Sequence, residues 1–197
     1  MRRLPIYFLI DTSRSMTGGK IDSVNEVLEG IVNILRNNPI SLEVGYVSII
    51  TFSTEAKQVL PLTSLLDIHM PAIEAIGWTN IESGLQMLLD SMQKEIVISD
   101  RKSEIKGDYK PIVVIFSDGG QSKGNYHNIL GKVHSCFAKC KTVLAFVATG
   151  GKYRSYFDEM KEIVGEYGEV KAINDFNSAE LSEIISIVTQ TASHIIQ

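Results

Sequence analysis

Five oxygen-bearing side chains stand at positions where they could hold a hard cation. Asp11, Ser13 and Ser15 alternate in "FLIDTSRSM", a run in which an apolar stretch ends abruptly in an aspartate. Thr79 lies in "GWTN" and Asp118 in "FSDGG". All five offer oxygen, and none offers sulfur or imidazole. Mg²⁺ and Ca²⁺ favour that kind of shell, and Mg²⁺ asks for near-octahedral geometry while keeping some waters. Alternate residues of one turn can aim three oxygens inward, and loops from other strands can complete the set. The same "YFLIDTS" also suits a second chemistry, with Asp11 as the nucleophile of a phosphohydrolase. That chemistry needs a second aspartate two residues on to protonate the leaving oxygen, and the chain has Ser13 there.

Other chemistries fit less well. "GGQSKGN" and "TGGKYR" are glycine-rich with lysine but lack the phosphate-loop order. His69, His127, His134 and His194 are isolated in sequence, and neither a His-Glu-x-x-His pair nor a Gly-x-Ser-x-Gly elbow occurs. Cys136 and Cys140, four apart, read as one helix face with reduced thiols rather than as half of a zinc site. The net charge of −4, with no long basic block, argues against a nucleic-acid footprint. The 44% hydrophobic and 21% charged composition is that of a globular chain, and 197 residues suit one domain, 1–197. "RRLPIYFLI" imitates the start of a signal peptide, but its apolar run is too short and lacks a cleavage site. No apolar stretch is long enough to span a membrane, so the expected setting is the cytoplasm.

Elements able to position the five oxygens alternate along the chain. "PIYFLI" (5–10), "PIVVIFSDGG" (111–120) and "TVLAFVATG" (142–150) are continuous apolar runs, as in strands covered on both faces. "LEVGYVSIITF" (42–52) is expected to be a strand that pairs as a hairpin with "AKQVLPLT" (56–63), whose Pro61 assigns it to a sheet edge. A further short strand is expected at "EVKAI" (169–173). Helical spacing marks 20–38, where Ile21, Val24, Val27, Leu28, Ile31, Ile34 and Leu35 share a face, and also 81–97, 128–139, 157–168 and 179–196. The alternation predicts a three-layer, doubly wound α/β fold with a mostly parallel sheet and one antiparallel edge strand. Ligands in such folds sit beyond the carboxyl ends of the strands, where strand order reverses. That rule selects the loops at 11–19, 77–80, 118–126 and 149–154.

Asp-x-Ser-x-Ser after the first strand, a threonine in a later loop, and Ser-Asp-Gly after a central strand resemble a von Willebrand factor A domain. The resemblance implies that Asp11, Ser13, Ser15, Thr79 and Asp118 form its metal-ion-dependent adhesion site. Ser13, Ser15 and Thr79 would coordinate through hydroxyls, and Asp11 and Asp118 directly or through water. The implied ion is Mg²⁺, with Mn²⁺ or Ca²⁺ as substitutes. A shell rich in neutral hydroxyls leaves the cation under-neutralised, so a protein partner can offer a carboxylate as the last ligand. The implied role is metal-dependent protein binding and not catalysis. Arg14 and Trp78 flank the five donors and are candidates for partner contact. Arg14 stands where the family usually has glycine, and no further acidic residue follows Asp118 closely. "MRRLPIYFLIDTSRSM", "SIITFSTEAKQVLPLT" and "KGDYKP" further resemble stand-alone von Willebrand A domains of bacterial tellurium-resistance and stress clusters, often found beside a kinase and a phosphatase.

Overall fold

The computed structural model describes residues 2–100, 106–118, 125–148, 154–173 and 178–196. Its strands are β1 (Leu4–Asp11), β2 (Gly45–Phe52), β3 (Ala56–Ser64), β4 (Ile112–Ser117), β5 (Thr142–Ala148) and β6 (Gly168–Ile173). Its helices are α1 (Gly19–Asn37), α2 (Pro39–Val44), α3 (Ile81–Glu95), α4 (Leu130–Phe137), α5 (Arg154–Val164) and α6 (Ser178–Ile196). The strands form one sheet of order β3-β2-β1-β4-β5-β6, parallel throughout except for the β2–β3 pair. This is the three-layer α/β fold that the sequence pattern predicts, with β3 as the antiparallel edge and Pro61 on it.

Every residue of β1 is buried. Alternation along the strand splits it between two cores: Leu4, Ile6, Phe8 and Ile10 face α1 and α6, and Tyr7 and Leu9 face α3, α4 and α5. A strand covered on both sides has no polar face, which is why its sequence is continuously apolar up to Asp11. The chain builds β2 and β3 outward on one side of β1 and then crosses to place β4, β5 and β6 on the other. Strand order therefore reverses between β1 and β4. Their register pairs Ile10 with Phe116, which brings Asp11 and Asp118 out at the same end of neighbouring strands.

Three sequence expectations change. Residues 42–44 are not strand: Pro39 ends α1 and also begins α2, with the Asn38 side chain accepting from Ser41 N, and β2 starts only at Gly45. Ile34 does not join the buried face of α1 and is 48% exposed. Segment 157–168 is not one helix, because α5 starts earlier and stops at Val164, where Gly165 adopts φ 60.

Candidate metal centre

Asp11 ends β1 and is fully buried. Its two oxygens are held separately: Oδ1 accepts from Ser13 N at 2.8 Å and Oδ2 from Ser117 Oγ at 2.7 Å. Burial pushes its carboxyl up to about 6, against the two serine hydrogen bonds, and the nearby Asp118 charge adds to the rise. Thr12 anchors the turn, its N–H and hydroxyl both donating to Phe52 O. Ser13 and Ser15 follow on a single 3₁₀ turn, Arg14–Met16, with their Oγ atoms 3.0 Å apart. Ser15 Oγ donates to Asp118 Oδ1 at 2.7 Å. Asp118, directly after β4, is 2% exposed.

Thr79 comes from a separate loop that is tied to the first. Ile76 N donates to Thr12 O at 2.6 Å and Arg14 N to Gly77 O at 3.0 Å. Gly77 has φ 92, and a Cβ there would lie 2.8 Å from Thr54 Oγ1, so this close crossing needs glycine. Thr79 is 3% exposed, and Asn80 then caps α3 by accepting from Ser83 N. The loop 76–80 is thus pinned against the 12–14 turn from one side and against α3 from the other.

The donor set fits a hard divalent ion on two counts. Adjacent corners of an octahedron with metal–oxygen distances of about 2.1 Å lie about 3 Å apart, which is the spacing of Ser13 Oγ and Ser15 Oγ. Two buried carboxylates beside neutral hydroxyls also supply a charge that a divalent ion balances. Among the described residues, no three of His, Cys, Asp and Glu gather in a way that could hold a metal. The hydroxyl-bearing cluster is therefore the candidate site.

Arg14 is exposed and starts the 3₁₀ turn, so it carries no left-handed backbone; the positive φ of this region falls at Gly18 and Gly77. Trp78 is 59% exposed and Ile76 is 71% exposed, with Trp78 N donating to Thr54 Oγ1. His127 and His134 are not brought to the site: His127 Nε2 lies 3.4 Å from Glu162 Oε1, and His134 Nε2 is 2.9 Å from Glu162 O. Cys136 and Cys140 are free thiols, Cys136 Sγ lying 3.6 Å from Met92 Sδ. The glycine-rich stretches 119–124 and 149–153, and Tyr153, lie outside the described residues.

Three residues that are not among the five predicted donors also bear on the site. Ser117 donates to Asp11, and Tyr156 of α5 lies 3.0 Å from Ser117 Oγ. Because Ser117 spends its only proton on Asp11, Tyr156 is the donor in that contact. Burial and the Asp11 charge push the Tyr156 phenol well up, which keeps it a neutral O–H donor. The third is Lys20, whose Nζ donates to Asp118 Oδ2. Ser117 was open to detection, because it precedes Asp118 at a strand end; Tyr156 and Lys20 have no local signature.

A six-stranded sheet with a hydroxyl–carboxylate cluster where strand order reverses defines a doubly wound α/β domain. The chain belongs to the von Willebrand factor type A domain family, whose model matches residues 6–187. Among solved structures, proximal thread matrix protein 1 of the mussel byssus is similar at TM-score 0.69 and 21% identity, over 97% of this chain and 48% of that one. The same mussel protein "with zinc occupied MIDAS motif" is similar at TM-score 0.66 and 22% identity, again over 97% and 48%. The von Willebrand factor domain of the type V pili tip protein Mfa5 from Porphyromonas gingivalis is similar at TM-score 0.71 and 11% identity, over 100% and 97%. The chain thus spans about half the length of the mussel protein. No curated protein matches the sequence significantly. Among the described residues, no helix is long and apolar enough to cross a membrane.

Proposed function

We propose that this domain binds a divalent cation through Asp11, Ser13, Ser15, Thr79 and Asp118, and uses it to capture an acidic residue of a protein partner. The observation that carries the reading is the cluster itself: two buried carboxylates and paired serine hydroxyls at octahedral spacing, at the strand-order reversal. A bound divalent ion supplies Lewis-acid attraction for the partner's carboxylate. The chain's own residues do the rest. Ser13 N and Ser117 hold the two Asp11 oxygens apart, Ser15 orients Asp118, and Gly77 sets the loop that delivers Thr79. Arg14 and Trp78, both exposed beside the cluster, form the rim that a partner meets. A guanidinium there attracts acidic groups, and an exposed indole is a common anchor in protein interfaces.

Mg²⁺ is the preferred ion because small hard cations suit hydroxyl-rich shells; Mn²⁺ and Ca²⁺ are alternatives, and the mussel protein with its zinc-occupied motif adds Zn²⁺. A binding role, with no catalysis, suits a carboxylate that is buried with both oxygens engaged, since an attacking nucleophile needs an open face. The cytoplasmic setting rests on the free thiols, and the tellurite or stress-response setting on sequence resemblance alone. Pull-down from native lysate in Mg²⁺ and again in EDTA, with wild type and Asp11→Ala, tests the function. A partner retained only by wild type in Mg²⁺ is expected. Capture that ignores EDTA and Asp11→Ala, or Mg²⁺-dependent phosphatase turnover lost in Asp11→Asn, would overturn it.

A further inference from the structure

Lys20 places a positive charge inside the cluster. It stands one residue into α1 and reaches back over the loop, donating to Asp118 Oδ2 at 2.5 Å and to the Ser15 carbonyl at 3.1 Å. The two partners differ in exposure: the Asp118 side chain is 1% accessible and that of Lys20 37%. Asp118 therefore has one oxygen on a neutral serine hydroxyl and the other on an ammonium group. A buried carboxylate left with one hydroxyl donor would be an uncompensated charge, which is strongly unfavourable. A half-exposed lysine can supply that compensation and can also withdraw, because its flexible stem lets the ammonium swing into water while the methylenes stay on the surface.

We propose that Lys20 is a tethered counter-cation: it holds Asp118 in the metal-free domain and competes with the divalent ion for that carboxylate, and so sets the metal affinity. This inference rests on the proposed metal site and deepens it. The Lys20 ammonium donates to the side chain of one of the five donors, Asp118, and to the backbone carbonyl of a second, Ser15, so an ion entering the cluster meets its charge at short range. Either Lys20 leaves Asp118 or its charge opposes the ion. In both cases it lowers affinity, whereas a residue that merely positioned Asp118 for the metal would raise it. The sign of the effect separates the two roles.

The test is Mg²⁺ titration calorimetry on wild type, Lys20→Met and Lys20→Arg, with thermal melts of each in EDTA and in excess Mg²⁺. Lys20→Met keeps an unbranched chain and removes the charge. It should bind Mg²⁺ roughly 3–10-fold tighter, an effect moderated by the partial exposure of the ammonium. It should melt lower than wild type in EDTA and gain more in Tm from Mg²⁺. Lys20→Arg should stay near wild type in both readouts. If Lys20→Met is unfolded in EDTA but folded in Mg²⁺, the counter-cation role is supported; unfolding under both conditions overturns it. Equal or weaker Mg²⁺ binding by a folded Lys20→Met overturns the inference while leaving the metal site intact. Absence of binding by wild type and both variants overturns the metal site itself, and the inference with it.

Discussion

Both ends of β1 carry hydrogen-bonded carboxylates, a half-buried Glu95 and an Asp108 with a 4% accessible side chain at one end and the buried Asp11 and Asp118 at the other, and the two ends use them differently. At its amino end, Glu95 accepts from the Tyr7 hydroxyl, Gln58 Nε2 and Leu62 N, and Asp108 accepts two bonds from the Arg3 guanidinium and one from Val97 N. Those donors are backbone groups, an amide, a phenol and a permanently charged fork. Each is committed, and together they tie Val97 and Asp108 to the sheet. At the carboxyl end, Asp11 and Asp118 lean on serine hydroxyls, one backbone N–H and a half-exposed lysine. Hydroxyls can turn to present lone pairs to a cation, and a lysine can depart. A buried carboxylate by itself is therefore no sign of a site; the replaceability of its partners is.

The contrast can be broken from either side. Arg3→Ala should have the largest effect on stability, about 2–4 kcal/mol in urea unfolding, because it leaves Asp108 buried without its fork. It should leave Mg²⁺ affinity unchanged; a large loss of metal binding would mean that the two ends are not independent.

At the other end, Asp11 should make the metal-free protein less stable as pH rises. Its folded pKa of about 6 lies above the ordinary 3.8. Its contribution therefore favours the fold below that ordinary value and is lost as pH rises through the folded one. The difference is about 3 kcal/mol. In EDTA at pH 7.5, Asp11→Asn should then be more stable than wild type by about 1–3 kcal/mol, with the gap closing at acid pH. It should also lose Mg²⁺ binding. Urea midpoints across pH, with and without EDTA, check both halves, and a pH-independent gap would contradict the burial account.

Smaller effects sharpen the picture. Thr79→Val keeps the shape and removes the hydroxyl. It should weaken Mg²⁺ binding roughly tenfold, with unfolding free energy changed by less than about 1 kcal/mol. Destabilisation without loss of binding would make Thr79 a residue of loop structure only. Tyr156→Phe removes the far end of the Tyr156–Ser117–Asp11 chain and should cost roughly threefold in affinity and about 1 kcal/mol in stability. An unchanged affinity would show that Ser117 holds Asp11 unaided.

The period of the hydrophobic residues makes the architecture legible in the sequence. Continuous apolar runs meant doubly covered strands, Pro61 marked an edge, and helical spacing filled the gaps. The 42–44 error arose because "LEV" carries strand-compatible residues while Pro39, with its fixed φ and missing N–H, can open a helix as well as close one. Arg14 resisted sequence reading for a related reason. The backbone angle at a loop position follows from what the loop crosses, and here the crossing falls to Gly77.

Chain chemistry alone determined which atoms are available: two carboxylates and two hydroxyls at strand ends and a third hydroxyl in the loop before α3, with no soft ligand beside them. Local pattern also decided that those strand ends would lie in a mostly parallel sheet. Only the tertiary structure decided that Asp11 and Asp118, 107 positions apart in sequence, emerge on neighbouring strands, that Ser13 and Ser15 sit 3.0 Å apart, and that Lys20 turns back onto Asp118. The physical reason is that strand order and side-chain reach are set by the packing of two cores against one sheet. Both depend on contacts between residues that no short stretch of sequence brings together.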